Sequence, residues 1–339
     1  MENFEKSFGA LESDIDPRTI QHTDISEASA FPLTVGGTSY VPTDIENQHT
    51  VGICTAISTV QLAEKIYGKK YSPDFQYLLQ KAFYDGNWDE GSSPLVACKV
   101  ANKYGFLPAE LWTHTTEMDR TLPYEQYVAK LEALNGIEVN RLLALCENKI
   151  PGYAQVDITD PQKIAQAILN SPKQAGILCR YWVDKNWWTG LNGVSSWQPK
   201  DIDPIRAPAD HSDGHQIIAS HFDFTTYTDL EHPNTWGILW DIEGKCNINW
   251  DNYKMTEAWV WLLTAPIVNQ YPTIKMGATG TVVKTLQTLL NQKHNAGLFV
   301  DGLFGSKTKQ AVENYQSSVG LVADGICGKL TWGSLLKVV

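Results

Sequence analysis

The chain has 339 residues, 43% hydrophobic and 19% charged, a composition that folds rather than staying disordered. At roughly 150 residues per domain, that length predicts two domains or three. The 27 Lys and Arg against 38 Asp and Glu leave a net charge of −11, which excludes a general nucleic-acid partner, since such a protein needs a basic face to meet phosphates. No apolar run reaches roughly 18 residues, so neither a membrane-spanning helix nor a membrane partner is expected.

Residues 1–30 hold seven acidic against two basic residues and little periodicity, and read as an acidic arm, either mobile or covering. The opening MENFEKSFGALESDID lacks an apolar segment, so no secretory leader is expected and the protein is expected to be made in the cytoplasm.

Gln48-His-Thr-Val-Gly-Ile-Cys54 then leads into an amphipathic helix, in which Ala56, Val60, Ala63 and Tyr67 recur at helical spacing and Gly68 is a natural terminator. Cys54 falls at the helix N-terminus, where the macrodipole favours a thiolate. Such a thiol is a nucleophile only if a His reaches it. The other cysteines, Cys98, Cys146, Cys179, Cys246 and Cys327, are far apart without metal-ligand spacing, and are expected to be buried, reduced and free of disulfides.

Farther along, Gly91-Ser92-Ser93 precedes a stretch from Ala97 to Gly105. Trp182, Trp187, Trp188 and Trp197 stand among Gly, Ser and Asn, and read either as a loop folded over its own aromatics or as a cleft wall that stacks on substrate. Gly214-His215 opens an apolar, β-like run, which presents the imidazole at the start of a strand. His211, His215, His221, Asp210 and Asp213 are metal-ligand types, but Ser212-Asp213-Gly214 reads as a turn and no His-Glu-x-x-His occurs. No metal or cofactor is expected. Next comes Asn234-Thr-Trp236-Gly237-Ile-Leu-Trp240-Asp-Ile-Glu-Gly244, ending at Ile248.

The last segment differs in charge. From Lys275 onward seven Lys face three acidic residues, a net of +4, so the remainder of the chain carries −15. Pro272, Gly277 and Gly280 mark the joint. Beyond it, Asp301-Gly-x-x-Gly305-x-x-Thr308 recurs as Asp324-Gly-x-x-Gly328-x-x-Thr331, 23 residues later. The glycines permit tight turns, and each Thr is expected to cap the following helix. Val282, Val283, Leu286, Leu289 and Leu290, then Ala311, Val312, Tyr315 and Val319, keep helical spacing, which predicts a bundle of three short helices.

Two resemblances follow from these motifs. The residues running from Gly277 through Gln287, Asp301, Thr308, Gln316 and Gly320 to Trp332 resemble the peptidoglycan-binding domain found at the ends of many wall hydrolases. The resemblance implies peptidoglycan as the partner of residues 272–339. Gln48 six residues before Cys54, the Gly-His215 strand and the Asn234-x-Trp-Gly-x-x-Trp motif together resemble the papain-like cysteine peptidases over roughly residues 31–265. Gly91, Ser92 and the following stretch fit the substrate-side loop and next helix of that family.

The resemblance implies that Cys54 attacks the scissile carbonyl while His215 serves as its partner and proton donor. Asn234 would orient the His ring, Trp236 would shield that bond, and Gln48 with the Cys54 backbone N–H would form an oxyanion hole. This chain departs from the family in His49 for Gly, Thr55 for Trp and Val51 for a disulfide cysteine, and Pro233 stands directly before Asn234. Asp241 is a fallback for orienting the His.

The expected architecture is α+β: an arm at 1–30, a two-lobed papain-like peptidase domain at 31–268 with its site in the cleft, and a small three-helix peptidoglycan-binding domain at 272–339. The expected function is hydrolysis of peptide bonds in peptides or proteins, held at the bacterial wall in the manner of phage lysins, after lysis or by delivery with a particle. The alternatives are an inactive wall-binding structural or virion protein, and a peptidase that matures partner proteins during assembly.

Overall fold

The computed structural model describes residues 9–13, 19–24, 32–113, 119–183, 214–225, 228–237, 244–250, 255–263 and 273–336. They form two compact units, residues 1–15 with 27–263 and residues 16–26 with 264–339.

In the first unit, the helical half opens with α1 (Cys54–Tyr67), whose last turn closes on Gly68 at φ 69°, a left-handed conformation that glycine adopts without a Cβ clash. Next come α2 (Pro73–Gln80) and α3 (Pro94–Lys103), each begun by a Ser-Pro pair. The Ser72 and Ser93 hydroxyls accept from the N–H groups of Phe75 and Val96, and the proline takes a position where no N–H is needed. Two further helices, α4 (Tyr124–Ala133) and α5 (Ile137–Leu143), complete this half.

The other half contains strands and one helix, α6 (Pro161–Asn170), capped by Asp160. The strands are β1 (Val35–Gly37), β2 (Gly152–Gln155), β3 (Ile177–Trp182), β4 (Gly214–Ala219), β5 (His221–Asp223), β6 (Asp229–Pro233), β7 (Lys245–Asn249) and β8 (Glu257–Leu262). They make two antiparallel sheets of order β2-β8-β3-β4 and β1-β5-β6-β7, and the chain steps from one sheet to the other at Ser220, between β4 and β5. Pro233 closes β6 opposite Lys245 of β7, so the strand does lead into Asn234.

Helix α1 is buried on almost every side. Ala56 and Ile57 enter a core with Phe75, Leu78, Trp112 and Leu131, while Val60, Leu62, Ala63 and Ile66 pack against Leu178, Ile218, Trp259 and Trp261 of the sheet. The apolar residues of α1 are shared by two cores, and its polar ones, Thr55, Ser58, Thr59, Gln61 and Glu64, are buried with them. Its N-terminus is thereby fixed where the two halves meet. All six cysteines are free; Cys146 is half-buried and the rest are buried.

In the second unit, α7 (Thr281–His294), α8 (Ser306–Ser318) and α9 (Lys329–Leu336) enclose Val283, Leu286, Leu290, Val312 and Trp332, with Ile20 packed against them. The threonines of the repeat do not cap their helices. Gly305 occupies the N-cap of α8, and Thr308 lies inside the helix. Its hydroxyl instead joins a network around a buried glutamine: Gln287 Nε2 donates to Asp301 Oδ1, Leu303 O and Thr308 Oγ1, while Gly302 N–H donates to Gln287 Oε1. The second copy repeats each bond, with Gln316 reaching Asp324, Ile326 O and Thr331 and accepting from Gly325. Among the described residues, no helix is long and apolar enough to cross a membrane.

Candidate active site

The motif at Asn234 reaches its place by pairing with the segment before α1. Gln48 N–H donates to Thr235 O at 2.7 Å, Gly237 N–H to Glu46 O at 2.9 Å, and Asn47 bridges Trp236. Gln48, Asn234, Thr235 and Trp236, distant in sequence, are thus joined by a short antiparallel ladder. The His49 backbone sits at φ 54°, the left-handed region where the resemblance leads one to expect Gly. An N–H bond from His49 to Asn47 Oδ1 at 2.9 Å supports that turn.

His215, second residue of β4, places Nε2 2.8 Å from Asn234 Oδ1. Thr235 N–H also donates to that Asn234 oxygen, at 2.7 Å, which fixes the amide orientation. An amide oxygen only accepts, so Nε2 must carry the ring proton, and Nδ1 becomes the basic nitrogen of the neutral imidazole. The Trp236 ring lies over His215 with centroids 4.4 Å apart and planes inclined by 20°. All three side chains are buried, so water does not compete for the His–Asn bond.

Cys54 opens α1, and the residue after His215 touches it: Gln216 N–H lies 3.5 Å from Cys54 Sγ. The Gln216 side chain secures this contact from below, donating from Nε2 to Ser58 Oγ at 2.8 Å and to Thr55 O at 3.3 Å. Burial pushes the Cys54 thiol up to about 11, against the pull of the Gln216, Gly9 and Thr55 N–H groups and the Arg180 cation. Thr55, where the family carries Trp, donates to Gln80 Oε1 at 2.8 Å. Gln48 is buried beside this group; its Nε2 donates to Val51 O at 3.1 Å and its Oε1 accepts from Thr235 Oγ1 at 2.5 Å.

The opposite wall is the Gly91–Ser92 loop, and the N-terminal arm lies along it. Ser92 N–H donates to Gly9 O, and Leu11 N–H donates to Ser92 O, both at 2.7 Å, so Ala10 pairs with Ser92 in parallel. Across the arm, Ala10 N–H donates to Gly214 O at 2.9 Å. Close approach explains three glycines. A Cβ at Gly91 would fall 2.6 Å from Gly9 O, one at Gly9 would fall 1.8 Å from Gly52 O, and one at Gly214 would fall 1.9 Å from Ala10 O. Gly91 is held from behind by Lys81 Nζ, which donates to its carbonyl at 2.7 Å. Gly9, on the arm, supplies one of the backbone N–H groups that favour the Cys54 thiolate, so the arm reaches the sulfur.

Of the residues expected from the sequence, Cys54, His215, Asn234, Trp236 and Gln48 come together around the start of α1, and Gly91 and Ser92 approach the same place through the arm. Sequence reasoning missed Thr235, which orients both amides, the Gln216 N–H on the sulfur, and Arg180. Arg180 carried a signal: a lone basic residue inside the apolar run Ile177–Trp182. Among the described residues no cluster of three or more His, Cys, Asp or Glu could hold a metal. Asp210, His211, Asp213, Trp187, Trp188, Trp197, Trp240 and Asp241 lie outside the described residues.

Comparison with known proteins bears on the fold. The chain is similar to xylellain, a cysteine protease from Xylella fastidiosa, at 16% identity and a TM-score of 0.56, over 76% of this chain and 96% of that one. It is similar to a procathepsin L2 proteinase of the Tenebrio molitor larval midgut at 13% identity and a TM-score of 0.52, over 77% and 80%. Recombinant stem bromelain precursor gives 15% identity and a TM-score of 0.51, over 77% and 79%. No curated protein sequence matches the chain significantly. Residues 279–335 match the family described as putative peptidoglycan binding domain. The chain thus has the fold of the papain-like cysteine proteases over most of its length, followed by a three-helix domain of the peptidoglycan-binding type.

Proposed function

We propose that the chain is a cysteine peptidase whose Cys54, His215 and Asn234 hydrolyse peptide bonds, and that residues 272–339 hold it on bacterial peptidoglycan in the manner of a lysin. The domains on this reading are an arm at 1–30, a catalytic domain at 31–268 and the wall-binding domain. The observation that carries it is the His215–Asn234 bond at 2.8 Å under Trp236, on the strand whose next N–H meets Cys54 Sγ.

In the reaction, the Cys54 thiol gives its proton to His215 Nδ1 and the sulfur attacks the carbonyl carbon. The oxyanion is met by the Cys54 N–H, one of the donors that a helix cannot satisfy at its own start, and by the Gln48 amide. Collapse breaks the C–N bond, and His215 hands its proton to the leaving amine. Water, activated by the same imidazole, then cleaves the thioester and restores the thiol. A domain that holds the enzyme to its polymer raises the local substrate concentration without any new contact in the cleft.

The reading is tested by incubating purified walls with the intact chain and with Cys54→Ala. Cys54-dependent release of amino groups with retention of both proteins on the wall supports it. Retention without release by either protein favours the second reading, a wall-binding protein without turnover, to which the arm-covered thiol would correspond.

A further inference from the structure

One buried cation in the cleft has no place in the chemistry above. Arg180 lies on β3, its side chain only 1% exposed, on the face it shares with Glu257 directly opposite on β8. Its guanidinium is held as a rigid fork. Nη1 donates to Thr256 Oγ1 at 2.9 Å, and the plane stands 4.0 Å over the Trp182 ring. Gly214, immediately before His215, leaves room for it, since a Cβ there would lie 2.3 Å from Nη2 and 2.6 Å from Nε. The cation is therefore built into the wall next to the candidate catalytic histidine.

Two of its ligands come from the arm and not from the wall. Nε donates to Ala10 O at 2.8 Å, and Nη1 stands 3.9 Å from Glu12 Oε1. Glu12 is 67% exposed and is the only carboxylate in ion-pair range of Arg180 among the described residues. Glu257 does not take that part. One of its oxygens accepts from the Trp259 indole and the other from Ser13 N–H at 3.2 Å, a further contact to the arm. The arm thus leaves an imprint of what this wall holds: a peptide carbonyl, then a carboxylate two residues on, then a backbone N–H. When the arm leaves, a buried guanidinium loses a carbonyl acceptor and the Glu12 carboxylate and keeps only the longer-range field of Glu257, so an occupant that lacks either leaves the Nε donor unmet or the charge less well balanced.

We propose that Arg180 is the specificity-determining residue of this cleft, selecting acidic peptides whose carboxylate stands within two residues of the one paired with Ser92. The inference rests on the cleft being the substrate site of the peptidase reading, and it narrows the substrate to peptides bearing free carboxylates. Both wall stem peptides and acidic protein segments carry that chemistry. The planar fork, fixed by Thr256 and Trp182, suits a carboxylate in a way that a flexible ammonium would not.

The test is equilibrium binding to full-length Cys54→Ala, read by fluorescence anisotropy with paired labelled peptides that differ only in Glu against Gln at each position in turn. At one position the Glu peptide is expected to bind about tenfold more tightly, ~1.4 kcal/mol. Arg180→Gln should bring the pair to equality and Arg180→Lys should retain part of the difference. The comparison in the Arg180 protein stands even if a variant fails to fold. Equal affinity for Glu and Gln peptides, no measurable binding of either at millimolar concentration, or a preference that survives Arg180→Gln overturns the proposal.

Turnover is scored separately, with Cys54 present. Selective binding without cleavage removes the peptidase reading and leaves Arg180 its role; cleavage without acidic preference does the reverse. A purified wall stem peptide beside a linear Glu peptide tells which source of carboxylate the cleft prefers.

Discussion

The candidate active site and the C-terminal module solve the same problem, holding a few polar side chains in place inside a protein, in opposite ways. In the module each buried glutamine reaches a turn that follows closely in sequence, and the whole arrangement is built twice, around Gln287 and around Gln316. In the first unit the groups come from the arm, the segment at Gln48, the start of α1, β4 and the Asn234 turn, and one or two hydrogen bonds join each pair. Local duplication ties the module's polar groups to its folding. The dispersed site lies beside two large cores that do not include Cys54, so that thiol can be shortened with little loss of stability.

If the chain is the proposed peptidase, the largest effect should be Cys54→Ala, which removes the proposed nucleophile and is expected to lower cleavage by at least ~10⁴-fold while the thermal midpoint stays within a few degrees. A comparable loss of stability would break the contrast. Trp332→Ala, at the centre of the small core, should cost roughly 3–5 kcal/mol and unfold the module, measured as loss of wall retention with small-peptide cleavage intact.

The pH dependence bears on the sheet half. His232 donates from Nδ1 to Leu230 O at 2.8 Å, so its Nε2 accepts the Tyr181 hydroxyl at 2.9 Å. Burial pushes this imidazole down to about 3, with the bond to Leu230 opposing. The unfolded chain then binds the extra proton between about pH 6.5 and 3, so stability is full above that window and is lost as pH falls through it. Denaturant titrations of the native chain should show an acid limb of roughly 2–4 kcal/mol that His232→Gln flattens.

Gln287→Leu and Gln316→Leu should each cost ~1–3 kcal/mol, because each strands a buried turn N–H and takes a donor from an aspartate and a threonine. Equal costs would show that the two copies are mechanically equivalent, and unequal ones would locate the weaker. The smallest effect should come from Ala10→Pro, which removes the N–H that the arm donates to Gly214 O. Alkylation of Cys54 is expected to quicken several-fold, read by mass spectrometry; an unchanged rate would mean that the arm does not limit access.

What could be read from the sequence follows the same division. The helix from Cys54 to Gly68, the Gly-His strand and the three helices of the module are local patterns, carried by apolar spacing and glycine punctuation. The seven candidate site residues were proposed from the sequence because they sit in motifs. The ladder from Glu46 to Gly237, which brings Gln48 to Asn234, is pairing between segments nearly 190 residues apart, and nothing in either segment announces its partner. The role of Thr308 was misread because Gly-x-x-Thr before a helix resembles a cap, whereas the hydroxyl serves a glutamine more than a turn away in the preceding helix. The acidic arm gave no periodicity, since its order comes from an edge offered by Ser92 and not from its own residues.

That arm is a ligand carried on the chain that binds it. A tethered segment competes at an effective concentration on the order of millimolar, whatever the dilution of the protein. On the peptidase reading, a peptide arriving from solution finds the site open only for the fraction of time that the arm is away, and its apparent KM rises by the reciprocal of that fraction. The intact chain would therefore discriminate by abundance before it discriminates by sequence, passing over scattered peptides and responding to substrate presented at high density.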